Sequence, residues 1–123
     1  PTASDLDDLI AASGMPVEVG GELPADLGLT AQRAVYRTVQ EALTNVRKHA
    51  PGSTVAVWLW SDERAVGVTI VNGRPTEPPL GLPSAQLGLL GLRERAELLG
   101  GSLSYGSADG GFRVRLRLPR APE

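Results

Sequence analysis

The sequence predicts an α+β two-layer sandwich: a mixed, mostly antiparallel sheet with helices packed on one of its faces. Three observations predict it. Between Tyr36 and Pro51, Val39, Ala42, Leu43, Val46 and Ala50, with Val35 before them, fall on one stripe when the chain is wound at about 100° per residue. That is the core face of a long amphipathic helix. Thr54 to Ser61 and Ala65 to Val71 are β-branched and aromatic runs separated only by Asp62-Glu63-Arg64, the pattern of an antiparallel hairpin. From Phe112 to Leu118, apolar residues alternate strictly with arginines, as on a strand with one face buried.

Taken in order, Ser4 followed by Asp5, Asp7 and Asp8 reads as a helix start and Ser13-Gly14 as its end. Residues 1–15 are therefore an N-terminal helix or linker. Pro16 to Val19 alternates like a short strand and stops at Gly20-Gly21. Leu23 to Leu29 is a turn-rich approach to the central helix, which is expected to be capped at Thr30 and ended by Pro51-Gly52. Apolar residues on both parities of Thr54–Ser61 place that strand centrally in its sheet or under cover on both faces, with Trp58 and Trp60 in core or edge packing. Regular structure is then suspended from Asn72-Gly73 through a stretch carrying Pro75, Pro78, Pro79 and Pro83, because proline cannot join an ordinary central strand. Such a long irregular loop in a compact domain is commonly functional. Gly88-Leu89-Leu90-Gly91 leads into a helix with apolar positions 89, 92, 96 and 99, closed by Gly100-Gly101. A last hairpin follows, Leu103 to Gly106 and Phe112 to Leu118, turning at Ala108 to Gly111.

The 123 residues make one domain, long enough to bury a core without staples. Absence of cysteine removes disulfides and thiolate metal sites. A net charge of -2 gives no strongly basic surface for nucleic acid or anionic membrane, and Arg113, Arg115 and Arg117 read as a solvated sheet face. No run of about 20 apolar residues is present and the N-terminus lacks a secretory pattern. The expectation is a soluble domain with no nucleic-acid partner and no direct membrane contact. A chain opening on Pro1 is also expected to be a piece of a longer protein.

The central helix carries a third stripe beside its apolar one: Glu41, Asn45, Lys48 and His49. Spacing alone also describes a solvated helix edge held by i,i+3 and i,i+4 pairs. The residue types suggest a second reading. An Asn amide oxygen is a hard ligand suited to Mg²⁺ shared with phosphates. Lys48 and His49 offer a cation and a ring N–H to those phosphates, and Glu41 can accept a proton or order a metal-bound water. Glycines before a helix, here Gly88 and Gly91, let phosphate approach its N-terminal N–H groups.

Gln40 to Ala50, read as QEALTNVRKHA, closely resembles the N box of bacterial sensor histidine kinases of the subfamily paired with helix-turn-helix response regulators. Gly88 to Arg95, GLLGLRER, resembles that subfamily's second glycine box. The order of N box, hairpin, Asn-Gly site, loop, glycine box and final hairpin matches over essentially the whole chain. The resemblance implies the Bergerat ATP-binding fold of histidine kinases, gyrase B, Hsp90 and MutL, with ATP and Mg²⁺ as cofactors held between the central helix and a lid at residues 73–91. It implies Asn45 as the Mg²⁺ ligand, Lys48 and His49 at phosphates, and Glu41 as the group that activates the phosphoacceptor. Asn72 and Gly73 would lie at the adenine, and Gly88, Leu89, Gly91 and Leu92 at the lid hinge and phosphates. The chain would be the catalytic fragment of a protein histidine kinase. Its phosphoacceptor histidine would lie on a separate helical dimerisation domain of the same kinase, with a response regulator aspartate as final acceptor. The domain would be cytoplasmic, whether or not its parent is anchored in the inner or plasma membrane.

Four positions depart from the family pattern. Asn72 replaces the usual Asp of the first glycine box, Gln86-Leu87 the usual Gly-His, and Phe112 a common Thr. An Asn carbonyl accepts a hydrogen bond from the adenine amine without a carboxylate's charge assistance, so weaker base binding is expected. The alternatives are a serine kinase of the same fold, which GLLGLRER disfavours, and a degenerate module used for protein contacts.

Overall fold

A computed structural model describes residues 3–76 and 86–120. The elements run α1 (Ala3–Ala12), β1 (Val17–Gly21), α2 (Leu29–His49), β2 (Val55–Ser61), β3 (Ala65–Asn72), α3 (Gln86–Leu98), β4 (Ser102–Ala108) and β5 (Gly111–Pro119). The five strands form one mixed sheet in the order β1-β2-β3-β5-β4. β1 pairs with β2 in parallel, α2 forming the crossover between them, and the remaining pairs are antiparallel. This is the expected α+β arrangement.

Register explains the layering. Val55, Val57 and Leu59 of β2 lie opposite Asn72, Ile70 and Val68 of β3, which in turn lie opposite Phe112, Val114 and Leu116 of β5. Successive side chains alternate between faces, so these residues share one face. They pack with Val35, Val39, Ala42, Leu43 and Val46 of α2, Leu89 and Ala96 of α3, and Leu6 of α1 in a single core. The whole predicted stripe of α2 is buried, with Val39 at 0% exposure.

The other face of the sheet is open, and here the expectation for the tryptophans changes. Trp58 and Trp60 lie opposite Thr69 and Gly67, away from the helices. Trp58 is 56% exposed, and the Arg115 guanidinium lies 4.7 Å above the Trp60 ring. β2 is an interior strand, which is why both of its parities are apolar, but helices cover only one side.

Two turns account for the hairpins. The Asp62 carboxylate accepts hydrogen bonds from the backbone N–H groups of Arg64 and Ala65, each at 2.8 Å, and so locks the β2–β3 turn. Both contacts hold its carboxyl below the ordinary value of 3.8. At the β4–β5 turn, Asp109 and Gly110 have φ of 51° and 83°. Two consecutive positive values are what a two-residue turn between twisted strands requires.

Two boundaries differ from expectation. α2 is capped by Gly28 in extended conformation, one residue before the helix, so Thr30 lies inside the first turn and is not the cap. The Gln32 side chain instead donates to the Leu27 carbonyl at 2.6 Å. α3 begins at Gln86, so Gly88 to Gly91 belong to its first turns and are not a lead-in loop. Burial of Leu89 at 0% exposure outweighs the low helix propensity of the two glycines. β1 likewise runs through Gly20 and Gly21, where Gly20 lies under the Trp58 ring.

Candidate active site

The edge of α2 beside the core stripe carries Glu41, Asn45, Lys48 and His49, all half-buried. The distance from Glu41 to His49 along the axis is about 12 Å at 1.5 Å per residue. This edge is bordered by different elements at its two ends.

At the C-terminal end, the segment after β3 crosses the end of the helix. Gly73 N–H donates to the Thr54 carbonyl at 3.0 Å and Thr76 N–H to the Pro51 carbonyl at 3.1 Å. Asn72 therefore lies beside the loop that follows His49. It is 7% exposed, faces the helices with Val55 and Phe112 on either side, and donates its Nδ2 to the Gly73 carbonyl at 2.9 Å. That donation leaves Oδ1 as an acceptor. Phe112, another departure from the family pattern, is thus the direct cross-strand neighbour of Asn72.

At the N-terminal end, α3 meets α2. A Cβ added at Gly88 would lie 2.5 to 2.8 Å from the carboxylate atoms of Glu41, so the Glu41 side chain rests on the bare backbone of α3. Glu41, Gln40, Arg37, Gly88, Gly91, Leu92 and Arg95 line a cavity of about 300 Å³. Leu89 points into the core and leaves only its backbone for a ligand. Of the lid expected at residues 73–91, residues 77–85 lie outside the described residues.

Between the two ends, Asn45 Oδ1 and His49 Nε2 are buried without a hydrogen-bond partner. An orphaned buried acceptor costs about 1–3 kcal/mol, and native proteins keep few. A hard oxygen in that state fits a Mg²⁺ ligand. Among the described residues no group of three or more His, Cys, Asp or Glu could hold a metal. Lys48 makes no ion pair among the described residues.

Some residues around the site escape sequence reading. Ser53 is 3% exposed with an orphaned Oγ and lies in the turn between α2 and β2, its N–H donating to the Ala50 carbonyl. In sequence it resembles any polar residue after Pro-Gly. Arg37 and Arg95 line the Glu41 cavity, and the only hint was that Arg37 precedes Glu41 by four residues.

A profile of the histidine kinase-, DNA gyrase B- and HSP90-like ATPases matches residues 30–122. The chain belongs to this family. Sensor histidine kinase YxjM of Bacillus subtilis is 39% identical over 87 residues, covering 69% of this chain and 20% of that protein. The histidine-protein kinase/phosphatase UhpB of Salmonella typhimurium is 36% identical over 86 residues, 70% of this chain and 17% of that protein. The chain thus spans about a fifth of the length of these relatives. Among solved structures, the blue-light activated histidine kinase of Erythrobacter litoralis superposes with a TM-score of 0.71 at 19% identity, covering 98% of this chain and 42% of that one. The mycobacterial sensor kinase MprB gives 0.66 at 22% identity, covering 98% and 95%. These two likenesses show the fold. Family, fold and curated relatives together make the chain an ATP-binding catalytic domain of the sensor histidine kinase type. Among the described residues, no helix of this ATPase-family domain is long and apolar enough to cross a membrane.

Proposed function

We propose that this chain binds Mg²⁺-ATP along the α2 edge and delivers the γ-phosphoryl group to a histidine on a separate helical dimerisation domain of its kinase, for relay to a response regulator aspartate. The observation that carries the reading is the orphaned Asn45 Oδ1, set between Glu41 against α3 and Asn72 at the end of β3. Asn72 Oδ1 accepts from the adenine amine, with Gly73 beside it. Asn45 holds the Mg²⁺, which when bound neutralises phosphate charge. Lys48 and His49 meet the phosphates, together with backbone of Gly88, Leu89, Gly91 and Leu92. Glu41, held on Gly88, takes the proton or orders the approach of the acceptor imidazole. Transfer of this kind asks mainly for positioning and charge stabilisation, so the lack of a covalent nucleophile among these residues is no obstacle.

In this reading His49 belongs to the nucleotide site and is not the phosphoacceptor, so the chain alone does not phosphorylate itself. The test is radiolabelled phosphate transfer from ATP in the full-length kinase and in its Glu41→Gln and Asn45→Ala variants. Label on a histidine outside this chain, lost in both variants, supports the proposal. Label in the Asn45→Ala variant equal to wild type contradicts it. Asn72 in place of Asp favours the second reading, a degenerate module with weak nucleotide binding.

A further inference from the structure

The cavity at Glu41 does not end there. It continues down the seam between α2 and α3 as a groove of about 310 Å³ lined by Arg33, Ala34, Arg37, Thr38, Leu92, Arg95, Ala96 and Leu99, among others. Arg37, Leu92 and Arg95 belong to both parts. The floor is apolar and the rim is basic. Arg33 and Arg37 are one turn apart on α2, Arg95 stands on α3, and all three are exposed.

These three guanidinium groups make no ion pair among the described residues and gather along one seam of a chain of net charge -2. The other arginines of this part of the fold are engaged. Arg93 lies 5.5 Å over the Tyr105 ring and Arg120 pairs with Asp26 at 3.7 Å. The acids of α3, Glu94 and Glu97, are exposed but do not line the groove. Among the lining residues described, Glu41 at the open end is the one acid, so along the rest of the seam the like charges repel each other unless an anion comes between them. An apolar trough between two helices is the shape that receives a third helix. The trough opens at one end onto Glu41.

Resting on the function proposed above, we infer that the α2–α3 groove docks an acidic amphipathic helix of the kinase's own phosphoacceptor domain. Arg37 and Arg95 engage carboxylates on that helix and Arg33 extends the contact. Leu92 and Leu99 receive its apolar face. Engagement at Arg37 and Arg95 sets the helix register so that the acceptor imidazole arrives at Glu41. The two arginines are positioning residues, which act through the helix they hold and not on the phosphoryl group.

The experiment uses the full-length kinase with Arg37→Glu/Arg95→Glu and, because charge reversal can disturb folding, Arg37→Gln/Arg95→Gln. Phosphohistidine formation from Mg²⁺-ATP is followed at low and high salt, and the affinity of the isolated chain for an unhydrolysable ATP analogue is measured beside it. The expected result is a loss of roughly tenfold or more in the rate, flatter salt dependence, and unchanged analogue affinity. Full-rate phosphohistidine formation in the glutamine variant overturns the inference. A parallel fall in analogue affinity also overturns it, by making the arginines phosphate ligands. So does a defect confined to transfer onto the response regulator. A wild-type chain that binds no nucleotide overturns the functional reading underneath, an outcome distinct from all of these.

Discussion

Replacing Asn45 by leucine separates what the residue does for the fold from what it does for the ligand. The two side chains have the same branched shape and number of heavy atoms, leucine being the bulkier, and the Asn45 Oδ1 is buried with no partner. Exchanging an orphaned acceptor for an apolar group of similar shape recovers its desolvation penalty, about 1–2 kcal/mol for a half-buried residue. The higher helix propensity of leucine adds a few tenths. For a domain of this size, an unfolding entropy of about 2.1 cal/mol/K per residue converts 1 kcal/mol to about 4 °C. The unliganded variant should therefore melt about 4–8 °C above wild type. With Mg²⁺-ATP analogue at about a hundred times its dissociation constant, wild type gains about 2.7 kcal/mol, or about 10 °C, and the variant gains none. The assay is a thermal melt by circular dichroism with and without ligand, in magnesium and in chelator. A variant that is less stable than wild type without ligand, or that keeps the magnesium-dependent shift, refutes the reasoning.

Further outcomes follow from the same geometry. Asn72→Asp gives the adenine amine a charge-assisted acceptor and should tighten binding about fivefold. It also loses the Nδ2 bond to the Gly73 carbonyl, so the unliganded variant melts lower; calorimetry and a melt read both signs. Gly88→Ala displaces the Glu41 carboxylate, because the new methyl meets the end of that flexible side chain and no backbone. Phosphohistidine formation should fall at least tenfold with little change in melting temperature. Asp62 has a folded-state carboxyl held below its ordinary value of 3.8 by the N–H groups of Arg64 and Ala65. A depressed value means the contribution is fully present above the unfolded value and is lost as pH falls through the folded one. Wild type should lose that increment on acidification while Asp62→Ala does not, which paired urea titrations between neutral pH and pH 2 would show.

Sequence patterning located α2, β2, β3, α3 and β5 because each has a face that must be buried, whereas α1 was read from its cap and first-turn acids. Val39, Leu43 and Val46 on α2, and Val114, Leu116 and Leu118 on β5, made that face legible. Trp58 and Trp60 were misread because the composition of an interior strand does not say which side the helices cover. Gly88 and Gly91 looked like loop because propensity is local, whereas burial of Leu89 is tertiary. The parallel β1–β2 pair depends on the path of a crossover that no local pattern records. At the site, helical spacing alone aligned Glu41, Asn45, Lys48 and His49. Asn72 came only from resemblance, since nothing short of the fold brings the end of β3 to the end of α2. Ser53, Arg37 and Arg95 were missed because their environment comes from other elements.

The most direct test of the central claim is calorimetric titration of this chain with an unhydrolysable ATP analogue, with and without Mg²⁺. The account predicts saturable binding to one site that weakens sharply without Mg²⁺ and in Asn45→Ala. Binding indifferent to both magnesium and Asn45, or no binding by wild type at millimolar analogue, would contradict it.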